Sequence, residues 1–183
     1  VMAQEADYGT ALEPISKALK ANPSFDAVKG LVKDYQKNYK KDPAALVSLG
    51  NTFLSAKLYD QANAMADLAL KRDKNYGDAF ILKGDIEAMK DEGGDAAMWY
   101  NQCMQLDPKN PTGYLRYASV YRKRAPEEAA KALDQLRTIL PDYPVDAEAG
   151  HSFYVAEKYD KAWESYSKSN MDKLDEYKLS EYA

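Results

Sequence analysis

Histidine and cysteine are almost missing from this chain, with one of each among 183 residues. A lone thiol, Cys103, leaves nothing from which to build a disulfide framework or a clustered thiolate metal site. A lone imidazole, His151, has no Asp, Cys or second His at ligand spacing, so no metal or catalytic duty is expected of it. An excess of basic charge is absent too. Lys and Arg number 25 against 29 Asp and Glu, a formal charge of -4, and the sequence pI is near 5.2. Nucleic acid is held by a basic face that displaces counterions, and this balance excludes it as the expected partner. No apolar run approaches the roughly 18 residues that cross a membrane. The longest apolar-looking segment, 44–56, is broken by Ser48, Asn51 and Ser55. Gly93-Gly94 has no Lys-Ser/Thr after it and is no phosphate cradle. Acidic residues are scattered rather than paired, so no acid–base or nucleophile constellation emerges. The expectation is a protein that is not an enzyme and carries no metal and no cofactor.

What is present is a soluble globular composition, 45% apolar and 30% charged, in a chain long enough to bury a core. It opens Val1-Met2-Ala3-Gln4. Small residues at the -3 and -1 positions before Gln4 match the tail of a secretory signal, so a periplasmic or secreted location after cleavage near Ala3 is expected, with a cytoplasmic location as the alternative.

The informative feature is self-similarity. Phe53-Leu-Ser-Ala-Lys-Leu-Tyr59-Asp60-Gln-Ala62 returns 100 residues later as Phe153-Tyr-Val-Ala-Glu-Lys-Tyr159-Asp160-Lys-Ala162. That separation is close to three units of about 34 residues, and the frame can be followed between the two copies. Leu46-x2-Leu49-Gly50-x2-Phe53 marks a first helix and Ala62 through Ala69 a second. Phe80 and Gly84 recur 34 residues after Leu46 and Gly50, followed by Ala96-x3-Tyr100, Cys103 and Pro108. Tyr114-x2-Tyr117-Ala118-x2-Tyr121 with Ala129-x3-Leu133 makes the third unit, and Ala149-Gly150-x2-Phe153 with Ala162-x3-Tyr166 the fourth. Small residues at Gly50, Gly84, Ala118 and Gly150, and at Ala62, Ala96, Ala129 and Ala162, stand where helices approach closely. Large rings at i, i+3, i+4 spacing fill the space between. Asp60, Asp95 and Asp160 are expected as N-caps and Pro126 in a first turn.

These motifs resemble the tetratricopeptide repeat, W-x2-L-G-x2-Y, then A-x3-F, then P, over residues 43 to 170. The pattern departs at Lys83 and Glu87, which replace apolar residues, and at Ala66, which replaces a ring. The resemblance implies an all-α fold, a right-handed superhelical solenoid of antiparallel helix pairs. Four repeats are expected at about 43–76, 77–110, 111–142 and 143–170, all in one domain. Residues 1–42 are expected to form a degenerate N-terminal hairpin that caps the array. There Thr10-x-x-Glu13 reads as a capping box, with Pro14 near a first turn or kinking the helix. Phe25, Val28, Val32, Tyr35 and Tyr39 form one stripe on the next helix. Residues 171–183 repeat the spacing of a further first helix that stops in mid-unit, so the chain is expected to be the front portion of a longer protein.

In tetratricopeptide folds the first helices line a groove that receives a peptide or a partner's helix. The groove positions of that family fall here on Val47, Asn51, Leu54, Ser55, Ile81, Asp85, Met89, Leu115, Ser119, Arg122, Lys123, His151, Tyr154 and Val155. The resemblance implies a non-enzymatic scaffold for a protein or peptide, with Leu54, Met89 and Leu115 open to the partner and replaceable without loss of stability. The clamp for acidic chaperone tails is not expected, since only Asn51 and Arg116 match it. The rival reading is a solute- or glycan-binding solenoid of an exported uptake system, which wants clustered exposed aromatics; Tyr154 is the one residue that clearly offers this.

Overall fold

Helices with a small residue at each crossing and a ring at each gap can bury their apolar stripes only by packing in pairs. The computed structural model of the chain is made of such pairs. It describes residues 7–90 and 93–169. The cleavage site expected near Ala3 and the helix start expected at 171–183 lie outside the described residues. Among those residues there are ten α-helices and no strand. The chain divides into two compact units, Val1–Asp95 and Ala96–Ala183.

In the first unit, α1 (Asp7–Ala21) and α2 (Phe25–Tyr39) form a hairpin. The start of α1 at Asp7 corrects the capping-box expectation: Thr10 and Glu13 lie inside the helix. Pro14 stands near its middle on the exposed side, where its missing N–H leaves the Thr10 carbonyl without a helical donor. The apolar stripe of α2 buries Val28, Val32 and Tyr35. The Tyr35 hydroxyl donates to the carbonyl of Ala45 at 2.9 Å, and burial pushes its pKa up, which keeps the proton on the donor.

Asp42-Pro43 then starts α3 (Pro43–Ser55): the Asp42 carboxylate accepts the N–H of Ala44 at 2.9 Å, and Pro43 occupies the first turn. Helices α3, α4 (Tyr59–Arg72) and α5 (Gly77–Met89) pack mutually. A Cβ on Gly50 would stand 3.2 Å from the Cβ of Met65 and 3.3 Å from the carbonyl oxygen of Ala62, so α3 and α4 meet almost backbone to backbone. Lys83, which breaks the repeat pattern, is buried on α5 and has its own partners on α4. Its Nζ donates to Asn63 Oδ1 at 2.9 Å and pairs with Asp67 at 2.7 Å. A charge can be buried at that helix crossing because a carboxylate and an amide meet it there.

The duplicated decapeptide makes the same turn twice. In the first copy the N–H of Lys57 donates to Leu54 and that of Leu58 to Phe53; in the second, Glu157 donates to Tyr154 and Lys158 to Phe153. Lys57 and Glu157 share φ 59°, the left-handed region that non-glycine residues occupy at a cost. The turn brings the helix in early, so Asp60 and Asp160 are not the N-caps expected. Those positions are Leu58 and Lys158, neither of which makes a side-chain cap. Asp60 and Asp160 sit in the first turn, where a carboxylate still favours the positive end of the helix dipole.

The second unit holds α6 (Gly93–Leu106, its first three residues belonging to the first unit), α7 (Pro111–Tyr121), α8 (Pro126–Ile139), α9 (Asp146–Val155) and α10 (Tyr159–Ser167). Gly93-Gly94 thus opens a helix, so Asp95, like Asp60 and Asp160, lies in the first turn and is not the N-cap expected. Asn110 caps α7 through the N–H of Thr112 at 3.1 Å, and Pro126 takes the first turn of α8 as expected. Tyr114, Ala118, Leu133, Leu136 and Val145 fill the space between α7, α8 and α9, and Tyr166 lies against Gly150 where α9 and α10 cross.

Cys103 is fully buried in α6, and a Cβ on Gly113 would come within 3.0 Å of its Sγ. Packing is its role. Cys103→Ala is expected to cost at most about 2 kcal/mol in denaturant unfolding, from the atoms removed, and the native thiol is expected to resist a small alkylating reagent over hours.

Glu127, fully exposed in the first turn of α8, accepts from Lys158 at 2.7 Å and Lys161 at 2.8 Å. These hydrogen bonds hold its carboxyl down at about 2, against an ordinary 4.5. A carboxyl lowered on folding binds fewer protons folded than unfolded. Its stabilisation is therefore present above pH 4.5 and is lost as pH falls through about 2. Glu127→Gln is expected to lower the melting temperature by a constant amount above pH 4.5, the parent and variant profiles converging as pH falls to about 2.

Candidate partner-binding surface

The residues at the family's groove positions do not form one class of side chain. In the first unit Val47, Leu54 and Ile81 are buried, at 6, 7 and 7% exposure. This corrects the expectation that Leu54 lies open. The cause is α1, which packs directly on α3 and brings Ile15 and Leu19 into one cluster with Val47 and Leu54. Asn51 and Ser55 remain exposed on α3, Asp85 is half-buried, and Met89 is exposed at the end of α5.

Where α1 and α3 run side by side, their C-terminal halves leave a cleft of about 380 Å³. Leu19, Pro23 and Ala56 supply apolar surface, Ser16, Thr52 and Ser55 supply hydroxyls, and Lys20 and Lys57 supply charge. The Thr52 and Ser55 hydroxyls donate to the Ser48 and Asn51 carbonyls, each at 3.0 Å. Their protons are thus spent inside the helix, and their lone pairs are left as acceptors.

In the second unit, Ser119 and Lys123 are exposed and Leu115, Arg122, His151, Tyr154 and Val155 are half-buried. Arg122 reaches from the end of α7 to Glu148 on α9, N to O 3.6 Å, and its buried Nε has no hydrogen-bond partner among the described residues. Leu115 packs against the Tyr114 cluster, so it is part floor and part surface. Tyr117 and Tyr121 stand 4.8 Å apart, and burial raises the Tyr117 hydroxyl's pKa.

Two exposed rings were not singled out in the sequence. Tyr159 and Trp163, 59 and 60% exposed, stand one turn apart on α10, with Tyr154 5.5 Å from Tyr159. Their signal was the i, i+4 spacing on the second helix of the duplicated stretch, where the first copy has Tyr59 and Asn63.

A second cleft, also about 380 Å³, runs between α8 and α10 over Ala149 and Phe153 of α9. Its charges are largely matched in place: Arg137 binds Asp134 and Asp146, Lys161 binds Glu127, and Lys168 binds Glu164. Among the described residues no group of three or more His, Cys, Asp or Glu could hold a metal ion, and no helix is long and apolar enough to cross a membrane.

No family model matches the chain, and neither does any curated protein. Solved structures do. TTC0263, a thermophilic TPR protein of Thermus thermophilus, is 18% identical with a TM-score of 0.64, the match covering 96% of each chain. YrrB, a TPR protein described as having an unusual peptide-binding site, is 15% identical with a TM-score of 0.59, covering 95% of this chain and 96% of its own. MamA from Desulfovibrio magneticus RS-1 is 19% identical with a TM-score of 0.57, covering 88% of this chain and 93% of its own. At such identities the likeness is one of fold: the helix pairs of this chain are of tetratricopeptide type.

Proposed function

We propose that this tetratricopeptide-type protein is a non-enzymatic scaffold that holds a peptide or a partner's helix along its first helices. The observation that carries the reading is the cleft between α1 and α3, open on the first-helix face and lined by hydroxyls, lysines and a small apolar floor. Such a mixture suits a peptide, whose backbone needs hydrogen bonds and whose side chains need apolar contact. The likeness to YrrB, a peptide-binding protein of the same fold, supports it. The test is capture from native extract by the immobilised chain and by two variants, Ser55→Arg and Ser119→Arg. Both positions are exposed, so melting temperatures are expected to stay within a few degrees of the parent's. The bound protein is expected to fall at least several-fold with one or both variants. Equal capture by all three would place the working surface elsewhere.

A second reading, a glycan- or solute-binding solenoid, is favoured by the exposed Tyr159 and Trp163, since sugars stack on exposed rings. Saccharide-dependent quenching of Trp163 emission in a Trp99→Phe background, with no protein captured, would favour it over the first.

A further inference from the structure

The even charge balance of the whole chain hides one uneven place. Residues 29–41 hold Lys29, Lys33, Lys37, Lys40 and Lys41 against the single acid Asp34, although the chain has 25 basic residues to 29 acidic ones. Lys29, Lys33 and Lys37 are exposed and stand one turn apart along α2, with Lys40 and Lys41 directly after its end. Like charges four residues apart on a helix repel and weaken it. Two basic residues take that spacing only at 29/33, 33/37 and 37/41, so the arrangement is avoided everywhere but here.

The fold does not ask for this ladder. A helix dipole favours cations in the last turn, which accounts for Lys37 but not for Lys29 in the first half of α2 or Lys33 at its middle. The acids at hand have other duties. Asp26 stands in the first turn of α2, and Asp34 pairs with Lys37 at 2.9 Å. Asp42 accepts the N–H of Ala44 and Asp73 that of Asn75, each at 2.9 Å. Helix α4 extends the charge instead of answering it. Gln36 reaches the sulfur of Met65 at 3.5 Å, and the Lys40 carbonyl accepts from Arg72 Nε at 3.1 Å. The lysine side of α2 therefore borders α4, whose last turn adds Lys71 and Arg72, both exposed.

All but one of the cations so gathered are lysines. A lysine ammonium is a compact, hydrated point charge on a flexible stem, without the planar fork that fits arginine to one carboxylate or phosphate. Such a set suits a plane of many mobile anions better than a single shaped group. Leu31, 40% exposed on the same outward side of α2, adds an aliphatic side chain that a lipid headgroup layer can take up. We propose that this face of α2 and α4 docks the protein on a bilayer surface rich in anionic lipid. Clusters of this size are drawn to such a surface by its negative potential. Acidic residues elsewhere on the chain do not cancel the attraction, because salt screens charges more than about 8 Å away. None of these residues lines the cleft between α1 and α3, so docking goes beyond the scaffold reading and can fail separately from it.

The test is sedimentation of the full chain with vesicles of mixed phosphatidylglycerol and phosphatidylcholine, and with vesicles of phosphatidylcholine alone. Partitioning onto the mixed vesicles is expected to exceed that onto the neutral ones at least about tenfold, and to vanish in salt of about 1 M. The triple variant Lys29→Gln, Lys33→Gln, Lys37→Gln relieves the repulsion along α2 and is expected to melt within a few degrees of the parent. It should nonetheless lose at least about tenfold in partitioning. A second triple variant, Lys109→Gln, Arg124→Gln, Lys131→Gln, removes the same charge from exposed positions of the second unit. It is expected to change partitioning less than about twofold, since those charges stand outside the face. The proposal is overturned if the protein sediments with neither kind of vesicle or equally with both. It is overturned equally if the first triple variant partitions like the parent, or if the second loses as much as the first. Retention on poly-glutamate beads with no binding to vesicles would overturn it as well, and would give the face to an acidic protein. Capture of protein from extract by the first triple variant is expected to match the parent's, so a failure of docking leaves the scaffold reading standing.

Discussion

Leu54→Asp is expected to unfold the first unit rather than to change what the protein holds. Leu54 is 7% exposed and belongs to the cluster shared by α1, α2, α3, α4 and α5. Removing a buried leucine costs about 2–5 kcal/mol through lost transfer energy and the cavity left behind. Aspartate adds a charge with no partner in that cluster, a penalty it escapes only by taking up a proton. The sum, about 4 kcal/mol or more, is a large part of the 5–15 kcal/mol that holds a typical domain together. Denaturant unfolding should show the midpoint collapse, with Leu54→Met, which conserves volume, losing under about 1.5 kcal/mol. Met89→Asp is the informative contrast. Met89, which corresponds to Ser55 in the 34-residue frame, ends α5 and is 45% exposed, and its change is expected within about 0.5 kcal/mol of neutral. If Leu54→Asp instead melts with the parent, α1 does not cover α3 in solution.

Gly150 is expected to be the least replaceable position of the second unit. A Cβ there would stand 2.8 Å from three ring atoms of Tyr166, whose own exposure is 0%. A flexible chain end could swing aside, but a buried ring in a close-packed site moves only with its helix. Gly150→Ala gains about 1 kcal/mol of helix propensity, against overpacking of about 1–3 kcal/mol, and the net sign should be destabilising. Gly150→Val, with two further methyls and a β-branch, should cost more than about 3 kcal/mol on the same reasoning. A double-mutant cycle identifies the cause. With Tyr166→Leu already present, Gly150→Ala should cost little or become favourable, because the ring it strikes is gone. Additive effects would mean that the clash lies with some other neighbour.

The helix pairs were readable because their signals are local. Gly50 announces a close crossing that the Ala62 carbonyl confirms, Gly150 leaves room for the Tyr166 ring, and Asp42-Pro43 announces a helix start that the Ala44 hydrogen bond confirms. Burial from a distant segment was not readable. Nothing near Leu54 reveals that residues 15 and 19 will cover it, so a position open in the repeat pattern became core. Helix starts failed for a related reason: Asp60 and Thr10 have cap chemistry, but the left-handed turn at Lys57 and the early start of α1 take the cap position away from them. Lys83 looked like a flaw in the repeat because its partners, Asn63 and Asp67, lie on another helix. The candidate surface was legible as positions on first helices. Its chemistry was not, because the cleft exists only where α1 and α3 meet.

The turn made twice, at 56–58 and 156–158, separates what the two hairpins share from what makes each one individual. The shared part is backbone: the same donors, the same acceptors and the same left-handed residue. The individual part begins one residue later, where Leu58 joins the apolar cluster of the first unit and Lys158 reaches out to Glu127 in the second. A recombination joint placed between residues 57 and 58, or 157 and 158, would therefore keep every such graft in register. A joint one residue further on would transplant the wrong address label, putting an ammonium into a greasy niche or leaving Glu127 with Lys161 as its one remaining lysine partner among the described residues. Shuffling of such hairpins, by a genome or by a designer, is thus constrained less by the turn itself than by the first side chain after it.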